Sequence, residues 1–280
     1  MLSGPTKSLK SKQTPIPLPA ELLPALVRVK PLLLCLDYDG TLSEIVQDPA
    51  LARPVFGVLE ALRELAARRD RIALAIVSGR EVTKLRELLN PPPGIALSGI
   101  HGLELVDFDG SEEIMRGARE CTEDLERVRK WLDENVSAGE GFAVEDKRFA
   151  IALHYRNSPP AVARRVRDAF ARFVHDCAPG LAIIDSKMAA EALPNGTSKA
   201  DAVRALWQRT GKEFEPVYFG DDLTDEDAFR ELEGRGVTVL VGRLRPSAAR
   251  YRVEDPSEVA RVLKKIVSAV AGLAVEPRHC

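Results

Sequence analysis

The sequence has few cysteines, and their spacing gives no sign of a metal site or a disulfide framework. Four occur in 280 residues: Cys35, Cys121, Cys177 and Cys280. No two of them form a C-x-x-C pair, and Cys35 lies inside an apolar segment. Isolated cysteines of this kind are typical of reduced thiols in a cytosolic protein. We therefore expect a cytoplasmic location.

Long apolar runs and an excess of charge of one sign are also lacking. No run approaches the roughly 18–20 apolar residues of a membrane span. The N-terminus is rich in Ser, Lys and Pro and has no apolar core of the signal-peptide type. The net charge is −2, from 40 basic and 42 acidic residues, which gives no support to nucleic-acid binding through a basic surface. We expect no membrane and no nucleic-acid partner, and we take a monomer as the expected assembly state.

Strand-like and helix-like segments alternate along most of the chain. Apolar content of 45% and charged content of 29% are those of an ordinary globular protein. Buried strands are predicted at Leu32–Leu36, Ile72–Val77, residues 95–97, residues 216–219 and Val237–Val241, and helices at residues 55–69, 81–89 and Pro256–Ala271. Strand–helix–strand repetition predicts an α/β fold with a Rossmann-like, doubly wound parallel sheet.

The middle of the chain has a different pattern, which predicts an inserted α+β cap domain. Helices are predicted at residues 120–135 and 159–177, and strands at residues 142–145, 149–155 and, singly or as a pair, 181–193. The expected divisions are a flexible N-terminal tail at residues 1–30, a core at residues 31–112 and 188–280, and a cap at residues 113–187.

Two aspartates directly follow the first predicted strand. Carboxylates beside a buried segment are costly unless a partner holds them there. Asp37 and Asp39 point to the same side of an extended chain. A turn at Gly40 would project both beyond the carboxyl end of the strand, which is the edge where open α/β sheets bind ligands. A turn or helix cap built on residues 39–41 is the structural alternative.

Further polar groups lie at the ends of predicted strands or at the start of a predicted helix. Ser78 precedes a helix, where its hydroxyl and the backbone N–H groups suit a phosphate or simply cap the helix. Lys199 lies in the first turn of a helix, where its charge opposes the helix dipole unless an anion lies nearby. Asp221 and Asp222 precede a predicted helix cap at Thr224, so a hard divalent cation such as Mg²⁺ is their natural partner.

Together these groups supply the parts of a phosphoryl-transfer site. One carboxylate can attack phosphorus and form an aspartyl-phosphate. A second can protonate the departing alkoxide and then deprotonate the hydrolytic water. Mg²⁺ and a lysine neutralise the charge of the phosphate. The residues therefore predict a Mg²⁺-dependent phosphatase.

The motifs resemble those of the haloacid dehalogenase superfamily of phosphatases. The resemblance rests on Asp-Tyr-Asp-Gly-Thr-Leu at residues 37–42, on Ser78 and Lys199, and on Gly-Asp-Asp at residues 220–222. Wider segments resemble the trehalose-6-phosphate phosphatases: DYDGTLSEIVQDPALARP, VSGR, GIHGLEL, HYR, EALPNGTSKADAV and GDDLTDEDAF. The resemblance implies a Rossmann-like core with a cap, and hydrolysis of trehalose 6-phosphate, a small sugar phosphate, to trehalose and phosphate.

The same resemblance implies a role for each matching core residue. Asp37 is implied as the nucleophile and Asp39 as the acid–base residue. Asp37, the backbone carbonyl of Asp39, and Asp221 are implied as Mg²⁺ ligands. Ser78 and Lys199 are implied to hold the phosphate.

Further polar residues are assigned to the surroundings of the metal and to the substrate. Asp222 and Asp225 are implied as acids behind the metal ligands. The substrate-binding candidates are Arg80, His101, Gly102, Glu145, Lys147, Arg156, Glu191 and Asn195. Among them, Glu145, Lys147 and Glu191 resemble the sugar-contacting cap residues of the family. A solvated strand face is the alternative for the cap residues, and a structural role is the alternative for His101.

Other functions stay open at this point. Phosphatases that act on sucrose or mannosylglycerate phosphates share the core motifs. A phospho-receiver domain also combines Asp, Lys and acidic Mg²⁺ ligands, but it is shorter and lacks the second aspartate. A non-catalytic sugar-phosphate sensor need not keep all of these groups. A dinucleotide enzyme is disfavoured because no G-x-G-x-x-G follows the first strand.

Overall fold

The computed structural model describes residues 13–274 apart from positions 47, 116, 187 and 212. Predictions for residues 1–12 and for Cys280 lie outside this part of the chain. Nine strands of the described part form one large sheet: β1 (Ile16–Pro17), β2 (Leu32–Leu36), β3 (Ile72–Val77), β4 (Ile95–Gly99), β5 (Glu104–Val106), β6 (Glu112–Ile114), β11 (Glu215–Gly220), β12 (Val237–Val241) and β13 (Tyr251–Val253). Four form a second sheet: β7 (Ala143–Lys147), β8 (Ala150–His154), β9 (Leu181–Ser186) and β10 (Ala189–Pro194).

The large sheet is mostly parallel, as the alternating pattern predicts. Its strand order is β1-β13-β12-β11-β2-β3-β4-β5-β6. Every neighbouring pair from β1 to β4 is parallel, and β4, β5 and β6 pair antiparallel at one edge. Parallel pairing places the carboxyl ends of β2, β3 and β11 side by side. Residues that follow these strands therefore share one edge.

Helices cover both faces of the large sheet and one face of the second. In chain order they are α1 (Leu22–Val29), α2 (Val58–Ala66), α3 (Val82–Leu89), α4 (Thr122–Asn135), α5 (Pro160–Cys177), α6 (Lys199–Arg209), α7 (Glu226–Glu231) and α8 (Pro256–Ala271). None of the helices in the described part of the chain has the length and apolar character that a membrane span requires.

The central strand β2 shows why a near-continuous apolar run forms here. Leu32, Leu34 and Leu36 pack into the cluster that includes α1, α2, α3 and α8. Leu33 and Cys35 pack into the cluster on the opposite face, which includes α6 and α7. Alternate side chains of a strand point to opposite faces, so a strand buried on both faces is apolar throughout. The predictions of strands at β2, β3 and β12 and of helix α8 are confirmed.

The second sheet is antiparallel, in the order β7-β8-β10-β9. One face packs against α4 and α5 through buried side chains that include Ile151, Leu153, Phe170 and Val174. The other face carries Glu145, Lys147, His154 and Glu191 and is turned toward the carboxyl edge of the large sheet. The helix-covered face explains the alternation of large residues along β8.

The prediction of a flexible tail through residue 30 is wrong for its described part. Ile16 and Pro17 pair with Tyr251 and Arg252 of β13. Helix α1 begins five residues after β1 and packs against α8, with Leu23 and Val27 fully buried. The apolar stripe of α1 is the physical reason, because it buries against the sheet-covering helix.

The predicted cap boundaries also differ from the observed sheets. Strand β6 spans the predicted boundary at residues 112–113 and pairs with β5 in the large sheet. Strand β10, assigned to the core from sequence, pairs with both β8 and β9. The predicted boundary therefore separates two paired strands of the second sheet, β9 and β10, rather than two domains. Uninterrupted antiparallel pairing explains the difference, because it keeps β10 in the second sheet up to Pro194.

Candidate active site

The residues that follow β2, β3 and β11 meet at the carboxyl edge of the large sheet, as predicted. Asp37 comes directly after β2, Ser78 after β3 and Asp221 after β11. Lys199 is the first residue of α6, which Ser198 caps by accepting a hydrogen bond from the N–H of Asp201. These residues line one cleft, and the second sheet forms its opposite wall.

Lys199 is the centre of a buried charge cluster. Its Nζ donates to Asp37 Oδ1 and to Asp225 Oδ1, each at 2.8 Å, and all three side chains are buried. Burial alone would lower the pKa of Lys199, but the charges of Asp225 and Asp37 raise it above its ordinary value. The lysine is therefore held as an ammonium ion, despite its place in the first turn of a helix.

Asp225 anchors this cluster rather than joining the cleft. Its Oδ1 accepts from Lys199 Nζ and from the Tyr218 hydroxyl at 2.8 Å, and its Oδ2 accepts from the N–H groups of Asp221 and Asp222 at 2.9 Å. Burial would raise the pKa of Asp225, but Lys199 and these hydrogen bonds hold it below the ordinary value. The structure also corrects the predicted cap at Thr224, since a 3₁₀ turn at Leu223–Asp225 follows Asp222 instead.

The donor set near Asp37 fits a hard divalent cation. Carboxylate oxygens of Asp37, Asp221 and Asp225 lie within 4.8 Å of one another. Because Asp225 already accepts four hydrogen bonds, Asp37 and Asp221 are the better ligands. Gly40 makes the close approach of Asp221 possible, since a Cβ at Gly40 would lie 1.8 Å from Asp221 Oδ2. All-oxygen ligands of this kind suit Mg²⁺.

The pKa of Asp37 depends on its burial and on the charges around it. Burial raises the pKa of Asp37 well above its ordinary value, and Asp225 and Asp221 add to this, although Lys199 opposes it. A nucleophilic carboxylate must be ionised, so a further positive charge beside Asp37 and Asp221 would favour the reactive form. This electrostatic requirement is a second reason why a divalent cation fits the site.

The turn of residues 78–80 adds a hydroxyl and a guanidinium group to the cleft. Ser78 is buried, and its Oγ accepts from the N–H of Arg80 at 3.2 Å. Arg80 donates to both oxygens of Asp39 at 2.7 Å and to the carbonyl of Pro49 at 2.8 Å, and it lies over the ring of Tyr38. Asp39 is therefore paired with Arg80 in this arrangement.

The second sheet contributes a polar wall opposite Asp37. Glu145 and Glu191 both pair with Ala152, so they lie in one cross-strand row with a small residue between them. Glu145 Oε2 lies 2.9 Å from His154 Nε2. That hydrogen bond is the main reason that the pKa of Glu145 is below its ordinary value. Lys147 Nζ donates to Glu191 Oε1 at 2.8 Å.

The cleft contains most of the residues predicted from sequence. It is lined by Asp37, Asp39, Ser78, Arg80, His101, Glu145, Lys147, Arg156, Glu191, Lys199, Asp221 and Asp222. Asp225 lies behind Lys199. Two predictions need correction, because Gly102 and Asn195 do not line the cleft. A Cβ on Gly102 would lie 2.7 Å from the carbonyl oxygen of Ser198. Asn195 is exposed, and its Nδ2 donates to the carbonyl of Pro179.

Sequence reasoning missed some lining residues. They include Ile45, Val46, Pro49, His154, Ser186 and Thr224. His154 has a signal in the sequence, because it shares the strand face of the small residues Ala150 and Ala152, opposite the large residues of β8. Ile45, Val46 and Pro49 belong to a segment without a periodic pattern. The position of Val46 depends on contacts such as that between Arg156 and its carbonyl oxygen, at 2.6 Å.

Because of Glu191, the free energy of unfolding of the protein should decrease as the pH falls through the acidic range. Burial would raise the pKa of Glu191, but Lys147 and His101 lower it from 4.5 to about 2. On acidification the unfolded chain therefore binds a proton at Glu191 before the native protein does. The contribution of this carboxylate is complete above about pH 5 and is lost as the pH falls toward 2.

Urea unfolding of wild type and Glu191→Gln from about pH 6 to about pH 3.5 checks this expectation. The free energy of unfolding of the wild type should exceed that of Glu191→Gln by an amount that shrinks as the pH falls across that range. A difference that stays constant or grows on acidification would contradict a lowered pKa for Glu191.

The comparisons with known proteins agree with the motifs. Residues 35–257 match the family model described as trehalose-phosphatase. The chain belongs to the trehalose-phosphatase family. It is 33% identical over 250 residues to the trehalose-phosphate phosphatase of Mycobacterium marinum, covering 85% of this chain and 62% of that protein. It is 36% identical over 242 residues to a protein of Mycobacterium tuberculosis described as an uncharacterized glycosyl hydrolase, covering 82% of this chain and 18% of that protein. The chain therefore spans less than two thirds of these relatives.

Solved structures agree on the fold. The C-terminal domain of the C. albicans trehalose-6-phosphate phosphatase has a TM-score of 0.78 at 22% identity, covering 92% of this chain and 99% of that one. A haloacid dehalogenase-like hydrolase of Bacteroides thetaiotaomicron has a TM-score of 0.59 at 15% identity, covering 85% and 100%. The predicted resemblance and the α/β haloacid dehalogenase fold are confirmed.

Proposed function

We propose that this protein hydrolyses trehalose 6-phosphate to trehalose and inorganic phosphate with Mg²⁺, through an aspartyl-phosphate on Asp37. The observation that carries the proposal is the pairing of Asp37 with Lys199 in a cleft whose opposite wall is polar. A phosphate ester can enter with its phosphate toward the sheet edge and its sugar toward the second sheet. Membership of the trehalose-phosphatase family supports the choice of sugar.

The residues at the sheet edge divide the chemistry between them. An oxygen of Asp37 attacks phosphorus, so an acyl-phosphate bond forms while the bond from phosphorus to the sugar oxygen breaks. Asp39 gives a proton to the departing sugar oxygen and then takes one from the water that hydrolyses the acyl phosphate. Lys199 donates to Asp37 and Asp225, and an ammonium group has three N–H bonds, so the third can hold a phosphate oxygen.

Asp37, Asp221 and the backbone carbonyl of Asp39 would hold the Mg²⁺ ion. When bound, Mg²⁺ neutralises phosphate charge and reduces the repulsion between the carboxylates and the incoming dianion. Asp225 keeps the N–H groups of Asp221 and Asp222 in place, so it orients a ligand without being one.

Arg80 must change partners before Asp39 can transfer a proton. Both oxygens of Asp39 accept hydrogen bonds from Arg80 in this arrangement. Phosphate oxygens match the planar guanidinium fork as well as a carboxylate does. We therefore include in the proposal a movement of Arg80 toward the substrate phosphate, which binds the substrate and releases Asp39 together.

The second sheet is proposed as the cap that selects the sugar. Glu145, Lys147, His154 and Glu191 present hydrogen-bonding groups to the cleft, and a disaccharide has hydroxyls to match them. Phosphates of other sugars remain the alternative substrates, since the groups around Asp37 recognise only the phosphate. We also propose that the protein is a monomer. We further propose a reducing, cytoplasmic compartment, which the free thiols of Cys35, Cys121 and Cys177 support.

Removal of divalent cations is expected to abolish phosphate release from trehalose 6-phosphate. Without a cation, the carboxylates of Asp37 and Asp221 would repel the substrate dianion in the cleft. Phosphate release should be measured before EDTA treatment, after it, and after excess Mg²⁺ is added back. Full activity after exhaustive chelation would contradict the metal site. An aspartyl-phosphate that accumulates without turnover would instead favour a phospho-receiver.

A further inference from the structure

Hydrogen bonds join the turn of residues 78–80 to the part of the second sheet that carries Lys147 and Glu191, called the sugar-facing wall below. Lys147 Nζ donates to the carbonyl of Gly79 at 3.0 Å and to Glu191 Oε1 at 2.8 Å. Glu191 Oε2 lies 3.3 Å from His101 Nε2. Because a carboxylate only accepts hydrogen bonds, this imidazole nitrogen is the donor. The backbone N–H of His101 returns to the carbonyl of Ser78 at 3.0 Å. These five residues form a closed circuit, called the closure ring below.

The backbone around His101 is strained in order to complete the closure ring. Ile100 and His101 have φ values of 47° and 55°. This left-handed region is uncommon for residues other than glycine, asparagine, aspartate and histidine, and it is a genuine outlier for a β-branched residue such as Ile100. Both N–H groups are used on the turn, since Ile100 donates to the carbonyl of Arg80 at 2.9 Å and His101 to that of Ser78. Consecutive strained residues that serve one turn indicate a functional constraint.

The side chain of His101 fits the turn just as closely. A Cβ on Gly79 would lie 2.7 Å from both Cε1 and Nε2 of His101. His101 is 5% exposed, and its Nδ1 has no hydrogen-bond partner among the described residues. Within the described part of the chain, Glu191 is therefore the one hydrogen-bond partner of the His101 side chain. His101 touches the turn on one side and the sugar-facing wall on the other.

A sugar can bind this wall without breaking the closure ring. Lys147 uses two of its three N–H donors within the ring, which leaves one for a sugar hydroxyl. A carboxylate has about four acceptor positions, of which Glu191 uses two. A phosphate on the turn and a sugar on the wall can therefore be bound at the same time, with the ring intact between them.

We propose that His101 is a positioning residue that, through the closure ring, makes the binding of phosphate on the turn and of sugar on the wall cooperative. The inference rests on the proposed function, because it assumes that these two surfaces receive the two halves of a sugar phosphate. Both halves bind to groups of the same ring, so a half that is already bound holds these groups in the arrangement that the other half needs. Part of the binding energy of the sugar then serves to position the groups that bind the phosphate.

Cooperativity of this kind is reciprocal and can be measured with the two products. If phosphate tightens trehalose binding by a given factor, trehalose must tighten phosphate binding by the same factor. Calorimetric titration of trehalose into the Mg²⁺-supplied full chain, with and without inorganic phosphate, gives the factor directly. We expect phosphate to tighten trehalose binding at least about fivefold in the wild type.

His101→Asn is the informative variant. Asparagine tolerates the left-handed region, so the strained backbone is preserved, but its side chain is too short to keep the place of the imidazole against Glu191. In this variant phosphate should no longer tighten trehalose binding, so the coupling factor should be about one. The kcat/KM for trehalose 6-phosphate should fall by roughly a hundredfold. His101→Gln, which keeps an amide donor of greater reach, should retain part of the coupling.

The matched control is His175→Asn, which alters an exposed histidine of α5 whose Nδ1 lies 2.8 Å from Asp176 Oδ1. Coupling and turnover should match the wild type. A wild type that hydrolyses trehalose 6-phosphate but binds trehalose equally with and without phosphate overturns the inference, as does His101→Asn with full coupling. A wild type that does not hydrolyse trehalose 6-phosphate overturns the proposed function instead.

Discussion

Asp37→Asn is expected to lower kcat for trehalose 6-phosphate by roughly ten-thousandfold or more while the protein stays folded. The amide is a poor nucleophile, and no acyl phosphate can form on it by the route proposed for Asp37. Stability should be retained because Lys199 keeps its hydrogen bond to Asp225. The measurement is phosphate release under saturating substrate, with circular dichroism and urea unfolding to establish the fold.

Asp133→Asn is the matched control, since it makes the same chemical change on an exposed position of α4. Its turnover should equal that of the wild type. Substantial turnover by folded Asp37→Asn would remove Asp37 from the role of nucleophile, and the reaction would then need another attacking group.

Lys199→Met should reduce both stability and turnover. Methionine has a similar length but no charge, so it leaves Asp37 and Asp225 facing each other without the ammonium ion that now lies 2.8 Å from each. Removal of one partner from a buried ion pair costs about 3–5 kcal/mol of the free energy of unfolding. Loss of the charge beside the transferring phosphate should lower kcat by at least about a hundredfold.

Urea unfolding and phosphate release check these two expectations separately. Lys84→Met is the control, because Lys84 forms an exposed ion pair with Glu87. Exposed pairs contribute less than about 1 kcal/mol, so this variant should unfold and turn over like the wild type. A Lys199→Met protein as stable as the control would show that the cluster is not held by the lysine.

The positions of the core groups could be predicted from sequence because parallel sheets follow simple rules. Leu32–Leu36 is apolar throughout, which indicates a strand buried on both faces. Polar residues directly after such strands must then lie at the carboxyl edge of the sheet. This is why Asp37, Ser78 and Asp221, far apart along the chain, were expected together and are found in one cleft.

The pairings within the cleft could not be predicted, because they depend on contacts distant in sequence. Arg80 was expected to bind substrate, and its bidentate bond to Asp39 follows only from the orientation of two loops. His154 was overlooked because a polar residue at the end of a strand is usually solvated. Asn195 was misplaced because its hydrogen bond to Pro179 depends on the turn before β9.

The errors in domain limits have a common physical cause. Sequence patterns report the character of a segment but not the strand with which it pairs. Ile16–Pro17 is too short to be recognised, and it is fixed by parallel pairing with β13. Strand β10 resembles a core strand by composition, and its antiparallel pairing with β8 and β9 places it in the second sheet.

In the proposed function, the second sheet rather than the edge of the large sheet selects the substrate. Asp37, Lys199 and Asp221 would serve any phosphate monoester that reached them. Glu145 and Glu191 face the cleft from one cross-strand row, and we propose that they determine which sugar the cleft accepts. A test of the central proposal must therefore compare sugars that carry the same phosphate.

The most direct measurement is kcat/KM with Mg²⁺ for a panel of sugar phosphates: trehalose 6-phosphate, glucose 6-phosphate, sucrose phosphate and mannosylglycerate phosphate. The proposed function predicts the highest kcat/KM for trehalose 6-phosphate, and a fall toward that of the other esters when Glu191 is changed to Gln. A panel in which another sugar phosphate is hydrolysed with a clearly higher kcat/KM would contradict the claim that this protein is a trehalose-6-phosphate phosphatase.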